Sequence, residues 1–281
     1  MPTMKLRALA AAALSALAAL TVTIAPQANA QTDPNYQWRN DPASKVLAGK
    51  PFAGSVLHRV PGSFFDAQRV NPGAKNAASR GRALYGAGAP IYVGMYGMCT
   101  VAAVGTDGAG RRVALTAGHC GNIGDQVVSA DSFAAGPTGR IARKNGALDY
   151  AVIELGPRAD LTASYNGTTI RSTGGSVRTG DQLCKNGYAS GVTCGVNWIA
   201  DGVRQQSQVC AMAGDSGAPL YSGTRLVGLV NGSSIPRFAN LQCVSPLQGP
   251  IHAPTVSTNI DAIIADLNAA PGVGNGFRLA G

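Results

Sequence analysis

The chain contains many short apolar runs separated by glycine, a pattern that restricts the folds open to it. Glycine supplies 37 of the 281 residues, about twice its average share in proteins. The runs are rich in β-branched and aromatic residues, and they cover 91–104, 112–116, 148–155, 176–183, 195–198 and 225–230. Short strands at near-regular spacing with glycine between them predict an all-β barrel or sandwich.

One segment near the C-terminus predicts a helix instead of a strand. Its apolar residues recur with the spacing of a single helix face, and they are Ile260, Ile263, Ile264 and Leu267. This pattern predicts a helix over 258–268 that packs on a barrel, with Ser257 or Thr258 as its N-cap. The residues that follow, 271–281, are predicted to be a tail.

The net charge of +9 would favour a nucleic acid or an anionic membrane as partner, but its position argues against both. Residues 31–88 carry eight basic and three acidic side chains, whereas residues 89–281 carry 13 basic and 11 acidic ones. Most of the basic excess therefore precedes the main domain, and nucleic-acid binding is not expected of that domain.

Residues 1–30 have the pattern of a secretory signal peptide. Two basic residues precede an uncharged run from Ala8 to Leu20, and the small-x-small sequence Ala28-Asn29-Ala30 follows. Cleavage is expected after Ala30. A membrane anchor is the alternative, but the strongly apolar stretch is short for a stable span. The mature protein is expected to be secreted, without a membrane span and monomeric.

Residues 31–88 differ in composition and hydrophobic pattern from the rest of the chain. They contain five prolines, scattered charges and little hydrophobic periodicity. We predict a propeptide or a flexible N-terminal segment here, with the main domain at 89–270. The runs 80–82 (RGR) and 86–88 (GAG) offer candidate cleavage sites.

A secreted chain can form disulfides, and six cysteines are present: Cys99, Cys120, Cys184, Cys194, Cys210 and Cys243. Six cysteines allow 15 pairings, among which spacing alone cannot choose. A zinc site is less well supported because the chain has no CxxC pair. Neither a metal nor another cofactor is expected.

The run GDSGAPL at 214–220 is the strongest chemical signal in the chain. Glycine on both sides of Ser216 leaves its hydroxyl unobstructed and permits tight turns. A serine hydroxyl is a poor nucleophile until a base removes its proton. The candidate base is His119, which directly follows a predicted strand.

Such a base needs a carboxylate that fixes its tautomer. Asp149 is the candidate, since it lies within an apolar run in which a buried charge would require a partner. These three residues predict a Ser–His–Asp triad. The two other histidines, His58 and His252, are predicted to be surface residues.

The motifs TAGHC (116–120), LDYA (148–151) and GDSG (214–217) resemble those of chymotrypsin-like serine proteases, in the same order along the chain. The runs around Cys184, Cys194 and Cys210 are similar to the secreted bacterial branch of that family, the streptogrisins and α-lytic protease. The resemblance extends from about Pro90 to Asp266.

This resemblance implies two six-stranded antiparallel Greek-key barrels, at about 89–175 and 176–256, followed by the helix. It implies that the backbone N–H groups of Gly214 and Ser216 form an oxyanion hole. It also implies three disulfide pairs, namely Cys99–Cys120, Cys184–Cys194 and Cys210–Cys243. The residues that it places against the substrate are Met212, Asn231, Gly232 and Ser233.

Two further expectations concern positions where the chain departs from the family. Lys185 stands where bacterial relatives carry an arginine that pairs with the aspartate before the nucleophile, so a Lys185–Asp215 ion pair is predicted. Asn231 replaces a serine that normally touches the triad aspartate. In addition, the loop at 233–242 is longer than in bacterial relatives and could narrow the pocket.

The expected substrate is a protein or peptide with an apolar or small side chain at the cleaved position. The position that carries an acid in trypsin-like enzymes is Cys210 here, and no acid follows before Gly214. Two functions remain open at this point. The first is a secreted serine endopeptidase, and the alternative is a protease-fold binding or surface protein with impaired turnover.

Overall fold

The structure, a computed structural model, describes residues 33–94, 97–234 and 241–281. The predicted signal peptide and most of the loop at 233–242 lie outside the described residues. Within them, no helix is long and apolar enough to cross a membrane.

The described residues form short strands and three α-helices. The helices are α1 (Pro42–Leu47), α2 (Pro72–Ala78) and α3 (Ile260–Ala269). The strands that precede residue 120 are β1 (Gln37–Arg39), β2 (Val56–His58), β3 (Ala83–Tyr85), β4 (Pro90–Val93), β5 (Gly97–Thr100), β6 (Ala103–Thr106) and β7 (Arg112–Ala117). The next are β8 (Gln126–Ser129), β9 (Pro137–Asn145), β10 (Tyr150–Leu155), β11 (Ala159–Leu161), β12 (Ser164–Tyr165), β13 (Thr168–Thr169) and β14 (Ser172–Thr173). The last are β15 (Gln182–Gly187), β16 (Gly191–Ala200), β17 (Arg204–Ser207), β18 (Pro219–Ser222), β19 (Arg225–Ser233), β20 (Thr255–Asn259) and β21 (Arg278–Leu279).

Two sheets organise these strands. The C-terminal sheet runs in the order β14-β19-β18-β15-β16-β17-β20, and β19 also pairs with β20, which closes six strands into a barrel. The N-terminal sheet has eight strands in the order β21-β6-β7-β10-β9-β8-β4-β5, and among the described residues no pairing joins its two edges. The predicted all-β class with a C-terminal helix is confirmed, although the first sheet is a half-barrel rather than a closed one.

The register of β7 and β10 positions two residues of the predicted triad. Both strands are strongly apolar and bury Leu115 and Val152 in the core of the first sheet. Ala117, the last residue of β7, lies opposite Tyr150, the first residue of β10. His119, two residues after the end of β7, and Asp149, directly before β10, are therefore brought to the same edge.

One strand prediction is largely wrong. The run 176–183 reads as a strand, but β15 begins only at Gln182. Gly180 has φ +93°, and the Asp181 carboxylate accepts a hydrogen bond from the backbone N–H of Arg178 at 2.8 Å. A local turn therefore occupies these residues, although Val177 and Thr179 are β-branched.

The predicted helix is present as α3, but its cap differs from the prediction. Asn259 is the N-cap, and its side chain accepts from the backbone N–H of Asp261. Ser257 and Thr258 belong to β20 instead. The Thr258 hydroxyl oxygen lies 2.7 Å from the carbonyl oxygen of Leu148, so it is used between the two sheets rather than at the helix.

The residues predicted as a tail are docked onto the first sheet. In this region β21 pairs with β6, and Phe277 and Leu279 pack against the main core. The backbone N–H of Gly274 donates to the buried Asp107 carboxylate at 3.1 Å. The C-terminus thus covers one edge of the half-barrel.

Deleting residues 277–281 is expected to lower the free energy of unfolding by about 2–4 kcal/mol, because partly buried Phe277 and Leu279 would be lost. Urea denaturation measures the difference. Ile123→Ala is the control, since this isoleucine is 68% exposed and its truncation should change the free energy by no more than about 0.5 kcal/mol. If the deletion variant and the full chain have equal free energies of unfolding, residues 277–281 do not contribute to the stability of the fold.

Residues 33–88 are folded rather than flexible. Asp41 and Asn71 cap α1 and α2 through their side chains, each followed by proline at the first helical position. Proline is favoured there, so two of the five prolines, Pro42 and Pro72, begin helices and do not mark a linker. Strand β1 pairs with β2, and β3 pairs in parallel with β11 of the main domain.

The prediction that His58 and His252 are surface residues is wrong. Their exposed fractions are 8% and 9%. The Nδ1 atom of His58 lies within hydrogen-bonding reach of the carbonyl of Ser63, and that of His252 lies 2.9 Å from the carbonyl of Ala253. Both imidazoles are thus fixed by local backbone contacts.

Candidate active site

His119 lies on a single 3₁₀ turn, Gly118–Cys120, that directly follows β7. Its Nδ1 atom is 2.8 Å from Oδ2 of Asp149, and its Nε2 atom is 2.8 Å from Oγ of Ser216. A carboxylate can only accept a hydrogen bond, so Nδ1 carries the proton and Nε2 presents its lone pair to the serine hydroxyl. The structure thus brings the three predicted triad residues together.

Asp149 has a left-handed backbone, with φ +48°. Asp tolerates this region better than most residues. With this backbone conformation, both carboxylate oxygens of Asp149 face donors. Oδ1 accepts a hydrogen bond from the backbone N–H of His119 at 2.8 Å. Oδ2, which faces the His119 ring, also accepts one from the amide of Asn231 at 3.0 Å.

These donors determine the charge state of Asp149. Burial raises the pKa of this carboxyl. Hydrogen bonds and charge from His119, together with the amide of Asn231, lower the pKa by more than burial raises it. The net result is a pKa below the ordinary value of 3.8. The carboxylate is therefore ionised at neutral pH.

Asn231 is itself held on its other side. Its Oδ1 atom accepts a hydrogen bond from the Thr258 hydroxyl at 2.8 Å, and its amide also donates to the backbone carbonyl of Asp149 at 2.8 Å. The larger side chain at this position therefore still contacts the triad aspartate, and it links that residue to β20.

The loop around Ser216 depends on two glycines. Gly214 has φ +100° and Gly217 has φ +82°. A Cβ atom at Gly217 would lie 2.4 Å from the carbonyl oxygen of Thr100, so a side chain has neither the space nor the backbone conformation. Thr100 holds this loop directly, because its hydroxyl donates to the Gly214 carbonyl at 2.9 Å and its N–H to the Ser216 carbonyl at 2.8 Å.

The backbone N–H groups of Gly214 and Ser216 donate to no acceptor within the part of the chain that the structure describes. Both belong to the loop that lines the cleft. Two free amides next to a nucleophile are the donors that an oxyanion hole requires.

The predicted ion pair between Lys185 and Asp215 is present and fully buried. The Nζ atom of Lys185 is 3.3 Å from Oδ2 of Asp215, and it also donates to the carbonyl of Gly191 at 2.7 Å. Asp215 in turn accepts from the backbone N–H groups of Ala189 at 2.8 Å and Met212 at 3.2 Å. Burial lowers the pKa of Lys185, and the Asp215 carboxylate opposes that shift.

Replacing Lys185 with alanine is expected to lower the free energy of unfolding by about 3–5 kcal/mol, because it leaves a buried carboxylate without its cation. Chemical denaturation at pH 7 measures this loss. Lys75→Ala is the matched control, since this lysine is exposed on α2. If both variants unfold at the same denaturant concentration as the parent, the ion pair does not hold the loop.

A cleft of about 650 Å³ opens beside Ser216. It is lined by all four residues that the resemblance places against the substrate: Met212, Asn231, Gly232 and Ser233. Ala211, Val230, Leu241 and Ala253 add apolar surface, and none of the described lining residues carries a carboxylate. The arrangement suits an uncharged side chain better than a cation.

Three disulfides are present, with the pairing that the resemblance implies. Cys99–Cys120 ties β5 to the His119 turn, and Cys184–Cys194 joins β15 to β16. Cys210–Cys243 connects the loop before Ser216 to the segment after residue 240. The described residues contain no group of His, Cys, Asp and Glu side chains placed to hold a metal ion.

Known proteins similar to this chain include two bacterial serine proteases. No protein-family model matches the chain. It is 32% identical to streptogrisin-A of Streptomyces griseus over 133 residues, which is 43% of each chain. It is 29% identical to serine protease 2 of Streptomyces fradiae over 168 residues, which is 52% of this chain and 93% of that protein. The chain thus spans less than half the length of streptogrisin-A.

Among solved structures, Cellulomonas bogoriensis chymotrypsin superposes with a TM-score of 0.52 at 23% identity, over 70% of this chain and 98% of the other. These comparisons confirm the chymotrypsin-like fold. They also confirm the resemblance to the bacterial branch of the chymotrypsin-like serine proteases.

Three residues that contribute to the site were not predicted from the sequence, namely Thr100, Tyr188 and Thr258. Each one lies far in sequence from the site residue that it contacts. Their hydroxyls or rings meet the site only through tertiary packing. A threonine or tyrosine in a strand-like run carries no local signal for such a role.

Proposed function

We propose that this protein is a secreted serine endopeptidase that cleaves peptide bonds through a covalent acyl-enzyme on Ser216. The observation that carries the proposal is the position of His119, 2.8 Å from both the Ser216 hydroxyl and the Asp149 carboxylate. The names of the two Streptomyces relatives support the same class of activity. Three disulfides and the predicted leader at 1–30 support an extracellular location.

In the first step, Oγ of Ser216 forms a bond to the carbonyl carbon while its proton passes to Nε2 of His119. The carbonyl oxygen becomes an oxyanion that accepts hydrogen bonds from the N–H groups of Gly214 and Ser216. His119 then returns the proton to the departing amine, and the C–N bond breaks. A water molecule cleaves the resulting ester by the same steps.

Asp149 contributes orientation and charge. It holds His119 in the tautomer that leaves Nε2 unprotonated, and it stabilises the imidazolium formed after proton transfer. Because hydrogen bonds keep its pKa below the ordinary value, the carboxylate stays charged throughout the neutral range in which the imidazole must act.

The lining of the cleft supports cleavage after apolar or small residues. A panel of chromogenic peptides that differ only at the residue before the cleaved bond tests this preference. We expect kcat/KM for leucine or alanine to exceed that for arginine by at least about 100-fold, because a cation would enter an apolar site without a counter-charge. A preference for arginine would contradict the proposed specificity.

The test of the function as a whole is labelling by a fluorophosphonate probe, which reacts with activated serines. The folded, disulfide-bonded protein is expected to be labelled and to lose its ability to hydrolyse an unfolded protein substrate. Thermally denatured protein is the control and should remain unlabelled. Failure of the folded protein to react would favour the binding or surface protein.

A further inference from the structure

Residues 33–88 lie outside the cleft but against the loop that carries Ser216. None of the described residues that line the cleft comes from this segment. Cellulomonas bogoriensis chymotrypsin is covered over 98% of its length by 70% of this chain, so the two-barrel fold leaves a large part of the chain unmatched. The contacts of residues 33–88 with the two sheets indicate what this segment does.

A buried charge cluster joins the segment to both sheets. Arg59 is 2% exposed, and its guanidinium donates to the carboxylate of Asp131 and lies 3.5 Å from that of Asp33. Its central carbon is 5.1 Å from the ring centre of Tyr188, whose hydroxyl donates to Asp33 at 2.6 Å. Asp131 follows β8 and Tyr188 follows β15, so this cluster spans the two sheets.

Val60, the next residue, lies outside the cleft and against the oxyanion loop, which is the segment 212–217 that carries the amides of Gly214 and Ser216. It packs with Tyr188 and Ala189 in a small apolar cluster, against which Met212 also rests. A Cβ atom built on Gly214 would lie 3.3 Å from a methyl group of Val60 and 3.0 Å from the ring of Tyr188. The backbone of Gly214 is therefore backed directly by these two side chains.

The segment also supports the wall of the substrate pocket. Phe65 is buried against the Cys210–Cys243 disulfide. The backbone N–H of Phe64 donates to the carbonyl of Val244 at 2.7 Å. Removing residues 33–88 would uncover the pocket wall and the back of the loop together.

The two candidate cleavage sites differ in accessibility. Gly86, Ala87 and Gly88 are buried, whereas Arg80 and Gly81 are exposed. In the folded protein, a protease can therefore reach the run at 80–82 but not the one at 86–88. A cut there would leave α1, α2 and the Arg59 cluster in contact with the main domain.

We propose that residues 33–88 remain bound to the active enzyme, and that Val60 is a positioning residue that holds the oxyanion loop from behind. This inference rests on the proposed peptidase function. A removable inhibitory segment would occupy the cleft, whereas this one leaves the cleft open and completes the packing beneath it.

Native mass spectrometry of the fluorophosphonate-labelled protein, collected from the medium of cells that express the full chain, tests the retention. The labelled species is expected to contain residues 33–88, either intact or nicked near Arg80. A labelled species whose native mass lacks residues 33–80 would overturn the inference while leaving the peptidase function in place. Absence of labelling would overturn both.

Val60→Ala tests the positioning role. We expect kcat to fall about tenfold or more with KM within about twofold, because a displaced oxyanion loop affects the transition state more than substrate binding. The separate variant Val60→Ile keeps the contacting methyl group, and its kcat should stay close to that of the parent. Val56→Ala is the matched control, since it removes the same atoms from a valine that is 0% exposed and lies outside this cluster. Equal kcat values for Val60→Ala and Val56→Ala would overturn the positioning role.

Discussion

Replacing Ser216 with alanine is expected to lower kcat by about 10⁵–10⁶-fold, because the reaction then has no nucleophile for acyl transfer. The remaining rate over the uncatalysed reaction would come from substrate binding and the two backbone amides. Initial rates with a chromogenic peptide measure this loss. The thermal midpoint should stay close to that of the parent, since only a hydroxyl in contact with His119 is removed.

Ser172→Ala provides the control for this variant. Ser172 is exposed on β14, and its substitution should leave kcat within about twofold of the parent. If Ser216→Ala kept a tenth of the parent's activity while remaining folded, another group would be the nucleophile and the acyl-enzyme mechanism would be wrong.

Asp149→Asn is expected to lower kcat by about 10⁴-fold. An amide at this position can donate to Nδ1 of His119, which favours the tautomer that carries its proton on Nε2 and cannot accept from Ser216. Asparagine also tolerates the left-handed backbone found at residue 149, so the variant should fold. Initial rates combined with a folding measurement separate the two effects.

The loss of unfolding free energy caused by the same substitution is expected to depend on pH. The pKa of Asp149 is lower in the folded protein than its ordinary value of 3.8. Its ionised form therefore stabilises the fold above that value, and this contribution is lost as the pH falls through the folded-state pKa. The difference in unfolding free energy between the parent and Asp149→Asn should be largest near pH 7 and shrink below about pH 4. A difference that grows on acidification would contradict the assigned charge state.

Sequence patterns predicted those parts of the fold whose signals are local. Strands β7 and β10 follow from uninterrupted apolar runs, and α3 follows from the spacing of Ile260, Ile263 and Leu267. The positions of His119, Asp149 and Ser216 followed from residue types that serve one another chemically and from their resemblance to family motifs. The structure brings these side chains within hydrogen-bonding distance.

The remainder could not be predicted because it depends on tertiary contacts. Pro42 and Pro72 resemble linker prolines until the helices that follow them are seen. Arg59 looks like any solvated arginine, and its burial requires two carboxylates that lie 26 residues before it and 72 residues after it in the chain. Likewise, nothing local distinguishes Thr100 from other strand threonines, although it fixes the loop around Ser216.

The residue that reacts with the fluorophosphonate identifies the nucleophile of this protein directly. Peptide mapping by tandem mass spectrometry of the labelled parent should find the adduct on Ser216 alone, and the His119→Ala variant should carry almost none. An adduct on any other serine, or equal labelling of the parent and His119→Ala, would contradict the claim that His119 activates Ser216.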